Sequence, residues 1–204
     1  LHVGGYATWR KPDGAGMTDR TVEFRTFPES RVDRRRFVRA EIENVNDYAI
    51  FGVELAARWN KLLLYGEYLY TTLSRYGYEG DTKVQLPNAV FNGWYATASY
   101  MILGQNRRYS PEDAEFGPMD VRRRGGNLEI AGRVSTVNLN DFHDPSAIIT
   151  GGKALNYTAS LNWYPVRNVL IGLNYTFVDN DKYADDKGHV TSNGKPLSQS
   201  LPEG

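Results

Sequence analysis

Arginine is the residue type in this chain best placed to do chemistry. Arg10, Arg25, Arg58 and Arg133 lie on the polar sides of segments whose polarity alternates residue by residue. Arg107, Arg108, Arg122, Arg123 and Arg124 fall in one long connection, 104–126, and Arg34, Arg35, Arg36 and Arg39 crowd the stretch 34–39. A guanidinium donates two parallel hydrogen bonds from a rigid plane, which suits phosphate and carboxylate oxygens. The competing reading of each arginine is structural. Glu23, Glu54, Glu67 and Glu129 occupy the same alternating faces and could neutralise these cations. Arg122-Arg123-Arg124 could equally be a solvated turn.

Other chemistries fail on residue type or spacing. The chain has no cysteine, which removes disulfides, a thiolate nucleophile and cysteine zinc sites. His2, His143 and His189 lack metal-ligand spacing. Asp179-Asn180-Asp181 opens like a calcium loop, but Ala184 stands where the turn glycine belongs, so it reads as a solvated loop. Gly151-Gly152-Lys153 lacks phosphate-loop spacing and precedes a strand. No nucleophile elbow occurs. No catalytic constellation and no cofactor site are expected. Lys+Arg and Asp+Glu are 24 each, and a formal net charge of zero argues against nucleic acid as a partner.

The elements that must carry the arginines are strands. Period-2 alternation dominates and helical periodicity is nearly absent. In 154–164, Leu155, Tyr157, Ala159, Leu161 and Trp163 share one face, opposite Asn156, Thr158, Ser160 and Asn162. In 168–179, Val169, Ile171, Leu173, Tyr175 and Phe177 repeat the pattern. Segments 1–10, 21–27, 48–59, 62–74, 91–103 and 127–139 complete a set of about eight strands. Short turns at 60–61 and 165–167 contrast with long polar connections at 75–90, 140–153 and from 180 onward. The connection 104–126 is long where strand parity calls for a short one, and it is expected to fold inward, with Arg122–Arg124 at a constriction.

These features predict an all-β fold, an antiparallel transmembrane β-barrel. Many of the strands exceed the usual soluble length, and Trp9, Trp59, Tyr68, Tyr70, Trp94, Tyr100, Trp163 and Tyr175 sit near the ends of apolar faces, as rings at a membrane interface do. The chain is 13% aromatic yet polar as a whole, with a mean hydropathy of −0.53, as expected where half of each strand faces water. The alternative is a soluble or surface β-sheet binding module without transport activity, its aromatics forming the core of a sandwich. A lipid hydrolase built on a barrel would need a Ser–His pair, and neither His143 nor His189 has an evident partner.

Several short motifs then fall in one collinear order: Pro28-Glu29-Ser30 with Asp33-Arg34-Arg35-Arg36, Glu54, Gly66-Glu67-Tyr68, Trp94-Tyr95, Tyr100, Arg108-Tyr109, Phe116-Gly117, Glu129 to Arg133, and Asn156-Tyr157 leading to Leu161-Asn162-Trp163-Tyr164. Over nearly all of its length the chain resembles the phosphate-selective porin O and P family. Leu103-Gly104-Gln105 and Leu128 depart from the family pattern. The resemblance implies a sixteen-stranded barrel in the Gram-negative outer membrane, homotrimeric, with connections folded into the lumen. It implies basic side chains that pass phosphate or other small anions, and no enzymatic activity. Residues 1–204 would then be the C-terminal half of one barrel, truncated at both ends. The chain opens inside a strand at Leu1-His2-Val3 and stops in a loop at Leu201-Pro202-Glu203-Gly204.

Overall fold

The computed structural model describes residues 1–13, 20–32, 34–112, 114–145 and 147–184, and the backbone of 189–190. Asp33 and the chain end Leu201–Gly204 lie outside them. In chain order the strands are β1 His2–Arg10, β2 Val22–Thr26, β3 Val38–Ile42, β4 Val45–Trp59, β5 Leu62–Glu79, β6 Thr82–Leu103, β7 Tyr109–Ser110, β8 Glu115–Phe116, β9 Asn127–Asp141, β10 Ile149–Tyr164, β11 Ile171–Asn180 and β12 His189–Val190. No helix occurs among the described residues. The architecture is all-β and antiparallel, as the alternation predicts.

One sheet holds the order β1-β4-β5-β6-β9-β10-β11, with β12 paired to β10. Its register lines up like faces across every strand. One rung runs Val3, Leu55, Gly66, Ala96, Val134, Tyr157, Phe177. Another runs Trp59, Leu62, Tyr100, Ile130, Leu161, Leu173. This apolar face is bare: Leu173 is 73% exposed, Phe51 47%, and Leu161 and Val169 43% each. No second sheet packs on this face among the described residues. From the Trp9–Ala49 rung to Trp59, β4 rises about 33 Å at about 3.3 Å per residue, or about 25 Å along the membrane normal at a tilt near 40°. That matches the height of an outer-membrane apolar band.

The opposite face is polar at mid-height and covered at both ends. At one end, β2 and β3 pair only with each other. The expectation that 21–27 would be a wall strand is therefore corrected. β2 has five residues, too few to cross a membrane. Its Phe24 packs edge-to-face on Tyr48 and Phe91, with ring centroids 5.8 and 5.5 Å away. Val38, Ala40 and Ile42 of β3 are buried with Val45, Leu73, Leu139, Ile149 and Ala154. Gly151 permits this approach, because a Cβ there would lie 2.7 Å from the Ala40 Cβ. Gly152, at φ +88, sits in the register shift between Thr150 and Lys153. The Gly-Gly-Lys run is thus a bulge beneath the hairpin.

Two connections are shorter than their composition predicts. Residues 75–90 continue as a tall β5–β6 hairpin, closing at Gly80–Asp81 with Glu79 paired to Thr82. Tyr76 and Lys83 hold it together, with Nζ 3.6 Å from the ring centroid. β9 and β10 extend into 140–153 and leave 142–148 between them.

Candidate functional site

The polar face carries its own rungs. One runs His2, Ala56, Tyr65, Thr97, Arg133, Thr158, Thr176, and the next Gly4, Glu54, Glu67, Tyr95, Ser135, Asn156. Two insertions reach these rungs from opposite ends. From the β2–β3 side, the segment after Thr26 brings Glu29 to Arg133, with Nε 3.2 Å from Oε1, and Ser135 Oγ donates to the same oxygen. From the other side, the segment 104–126 brings Tyr109 to His2, with the hydroxyl 2.7 Å from Nδ1. The carbonyl of Arg107 accepts from Arg58 at 2.8 Å, and Asn106 donates to the carbonyl of Asn60 at 3.1 Å. Met119 and Val121 pack on Met101 and Tyr164.

Between the insertion 104–126 and the wall lies a cavity of about 450 Å³, lined by Arg107 and Arg133 and also by Glu54 and Glu129, with Tyr95 and Tyr109 beside them. The Arg133 guanidinium carbon stands 3.8 Å from the centroid of the Tyr95 ring. The ring holds the cation extended along the wall and still leaves it able to donate hydrogen bonds.

The remaining sequence candidates disperse. Arg10 and Arg25 share a second recess with Tyr6, Phe24 and Thr71. Arg25 pairs with Glu23 at 2.9 Å. Arg108 is exposed and flanks Gly117 and Arg167. Arg122 is 71% exposed and pairs with Asp120 at 2.8 Å. Arg123 and Arg124 are exposed beside the turn whose Gly125 carbonyl accepts from Trp163 Nε1 at 2.9 Å. In the 27–37 segment, Arg31 and Arg36 stand over the Phe27 ring and Arg35 over Phe37.

The wall carboxylates choose unexpected partners. Of the four acids that could neutralise arginines, only Glu23 does so, taking Arg25 and Arg39. Glu67 accepts from Tyr6 at 2.6 Å, Glu129 from Tyr164 at 2.9 Å, and Glu54 meets His2 at 3.1 Å. Sequence reasoning missed Glu29, the residue that does engage Arg133. It entered only as part of the Pro28-Glu29-Ser30 motif that carries the family resemblance, which gave no sign of a partner so distant in sequence.

An antiparallel strand order, an exposed apolar band and a polar opposite face are what a transmembrane β-barrel wall requires. No curated protein matches the chain. The model of the family described as phosphate-selective porin O and P matches residues 1–198. That family is one of outer-membrane channels and not of enzymes, and with nearly its whole length matched, this chain belongs to the phosphate-selective porin O and P family.

Proposed function

We propose that the chain is part of a passive anion pore in the outer membrane of a Gram-negative bacterium. The lumen is the polar face and lipid bathes the apolar one. The observation that supports it most is the meeting of two insertions on neighbouring polar rungs, where Arg107 and Arg133 border the same cavity. Cations concentrated at one level of a water-filled passage are the usual selectivity device for anions. Arg10 and Arg58 extend the positive lining along the wall strands, and Arg25, paired with Glu23, joins it from the β2–β3 hairpin. Arg108 and Arg122–Arg124 lie toward the end of the barrel bearing the 60–61 turn, where they draw anions in. Phosphate or another small anion is the cargo, and the working unit is a homotrimer whose subunits each conduct.

The test is a bilayer recording of the full-length protein under a salt gradient. The unmodified pore is expected to reverse at an anion-preferring potential. Arg107→Gln with Arg133→Gln is expected to cut the anion-to-cation permeability ratio by about tenfold, the equivalent of about 1.4 kcal/mol. An unchanged ratio would remove these two arginines from the mechanism. A cation-preferring unmodified channel would overturn the anion reading altogether.

A further inference from the structure

Arg133 and Ser135 stand two residues apart on β9, so their side chains share the polar face. Together they present one N–H and one O–H to a single carboxylate oxygen, that of Glu29. Asn156 on the neighbouring strand donates to Ser135 Oγ at 3.3 Å, which orients the hydroxyl's own proton toward Glu29. Tyr95 supports the guanidinium from below. The pair is half-withdrawn from solvent, with Arg133 30% and Glu29 20% exposed. Glu29 holds a left-handed backbone, φ 56, in a turn closed by Glu29 N–H to the Phe27 carbonyl at 2.9 Å. A side chain other than glycine accepts that conformation at some cost, so the contact it enables must compensate.

A guanidinium backed by an aromatic ring, with a hydroxyl beside it, is built to bind an oxyanion. In this structure the oxyanion is the protein's own. We propose that Arg133 and Ser135 form a binding site for small oxyanions, phosphate or carboxylate, and that Glu29 is a tethered competitor that occupies it. This deepens the pore reading above and rests on it. Because Glu29 is held on a short segment, its effective concentration at the site is on the order of millimolar, so an entering anion must displace it. The site thus binds transiently: strongly enough to select anions and weakly enough to release them.

The experiment measures how phosphate and acetate, added separately, reduce chloride current through the full-length protein in planar bilayers. Glu29→Gln keeps the shape and removes the competing charge. It is expected to lower the half-blocking concentration of at least one of the two anions by about three- to tenfold, the range set by one partly screened charge-assisted contact. The larger gain identifies the preferred ligand. Glu79→Gln removes the same charge at the tip of the β5–β6 hairpin and is expected to match the unmodified protein. Arg133→Lys keeps the charge but loses the planar contact with Tyr95, and in the double variant it is expected to abolish the gain. Heat-modifiable gel migration verifies that each variant is folded. If Glu29→Gln behaves as Glu79→Gln does in a channel that still conducts anions, the competitor is wrong and the pore stands. If the gain survives Arg133→Lys, the site has been misassigned. Absence of anion current from the unmodified protein overturns both readings.

Discussion

Tyr6 shows how single residues set the chemistry of this wall. On β1 it faces Gly52 of β4, not the Glu67 it bonds. It reaches Glu67, one strand further on, by lying across Gly52, where an added Cβ would fall 2.3 Å from the ring. The carboxylate thereby finds a donor without an arginine, and the same happens to Glu129 through Tyr164. Arg133 is thereby left to Glu29 rather than to a carboxylate of its own wall. Gly52→Val is expected to push the Tyr6 ring aside and break the Tyr6–Glu67 bond. The cost is about 1.5 kcal/mol, the lower end of what a hydrogen bond to a charged group contributes, because the half-exposed Tyr6 hydroxyl is partly solvated. A lower urea midpoint for the loss of heat-modifiable migration checks it, and Tyr6→Phe should lose a similar amount at the same site.

Strands in this fold are two-sided elements, and adjacent residues have opposite fates. Leu161 is exposed on the apolar face, while Ser160 donates to Asn174 on the polar one. Leu161→Arg is expected to destabilise the folded protein in lipid vesicles by about 1–2 kcal/mol, less than an arginine at mid-bilayer would, because Leu161 lies only two residues from the interfacial Trp163. Ser160→Arg is expected to stay within about 1 kcal/mol, because its side chain enters water. Equal losses in denaturant titrations would mean that lipid does not lie along the Leu161 side. The β2–β3 hairpin obeys different rules. It is short, pairs only with itself, and is held by Phe24, Val38, Ala40 and Ile42 against the wall's own apolar residues. That anchoring is what allows the connection between β2 and β3 to hold Glu29 at a fixed position.

For the whole molecule, the balance of charge matters more than its amount. With 24 basic and 24 acidic side chains the chain has no large net field to steer ions from a distance. On the proposed pore reading, anion preference is expected to come from short-range fields near Arg107 and Arg133 and at the barrel mouth. Those at the mouth are screened over about 10 Å at 0.1 M salt and about 3 Å at 1 M. The permeability ratio is accordingly expected to fall as mean salt rises, toward a floor set by the recessed Arg133. Reversal potentials at fixed gradient ratio and increasing concentration measure this. A ratio independent of salt would place the whole of the selectivity at the recessed site.

Alternation alone determined most of the wall. Side chains on a strand point to opposite faces with period 2, so Leu173, Leu161, Phe51 and Val169 could be assigned to one surface before any partner strand was known. The arginine candidates on strands followed from the same local rule. What alternation cannot carry is a pairing between distant segments. Residues 22–26 alternate like a wall strand, yet they pair with 38–42, whose own Val38-Ala40-Ile42 alternation sits within an arginine-rich stretch. Residues 75–90 looked like a polar loop, because above the membrane both faces of a hairpin can be polar and still pair. Glu29 and Arg133 are 104 positions apart. Their meeting depends on sheet register, on the hairpin's anchorage and on the room left by Gly151. Those are set by the packing of the assembled sheet, and no local pattern of residues encodes them.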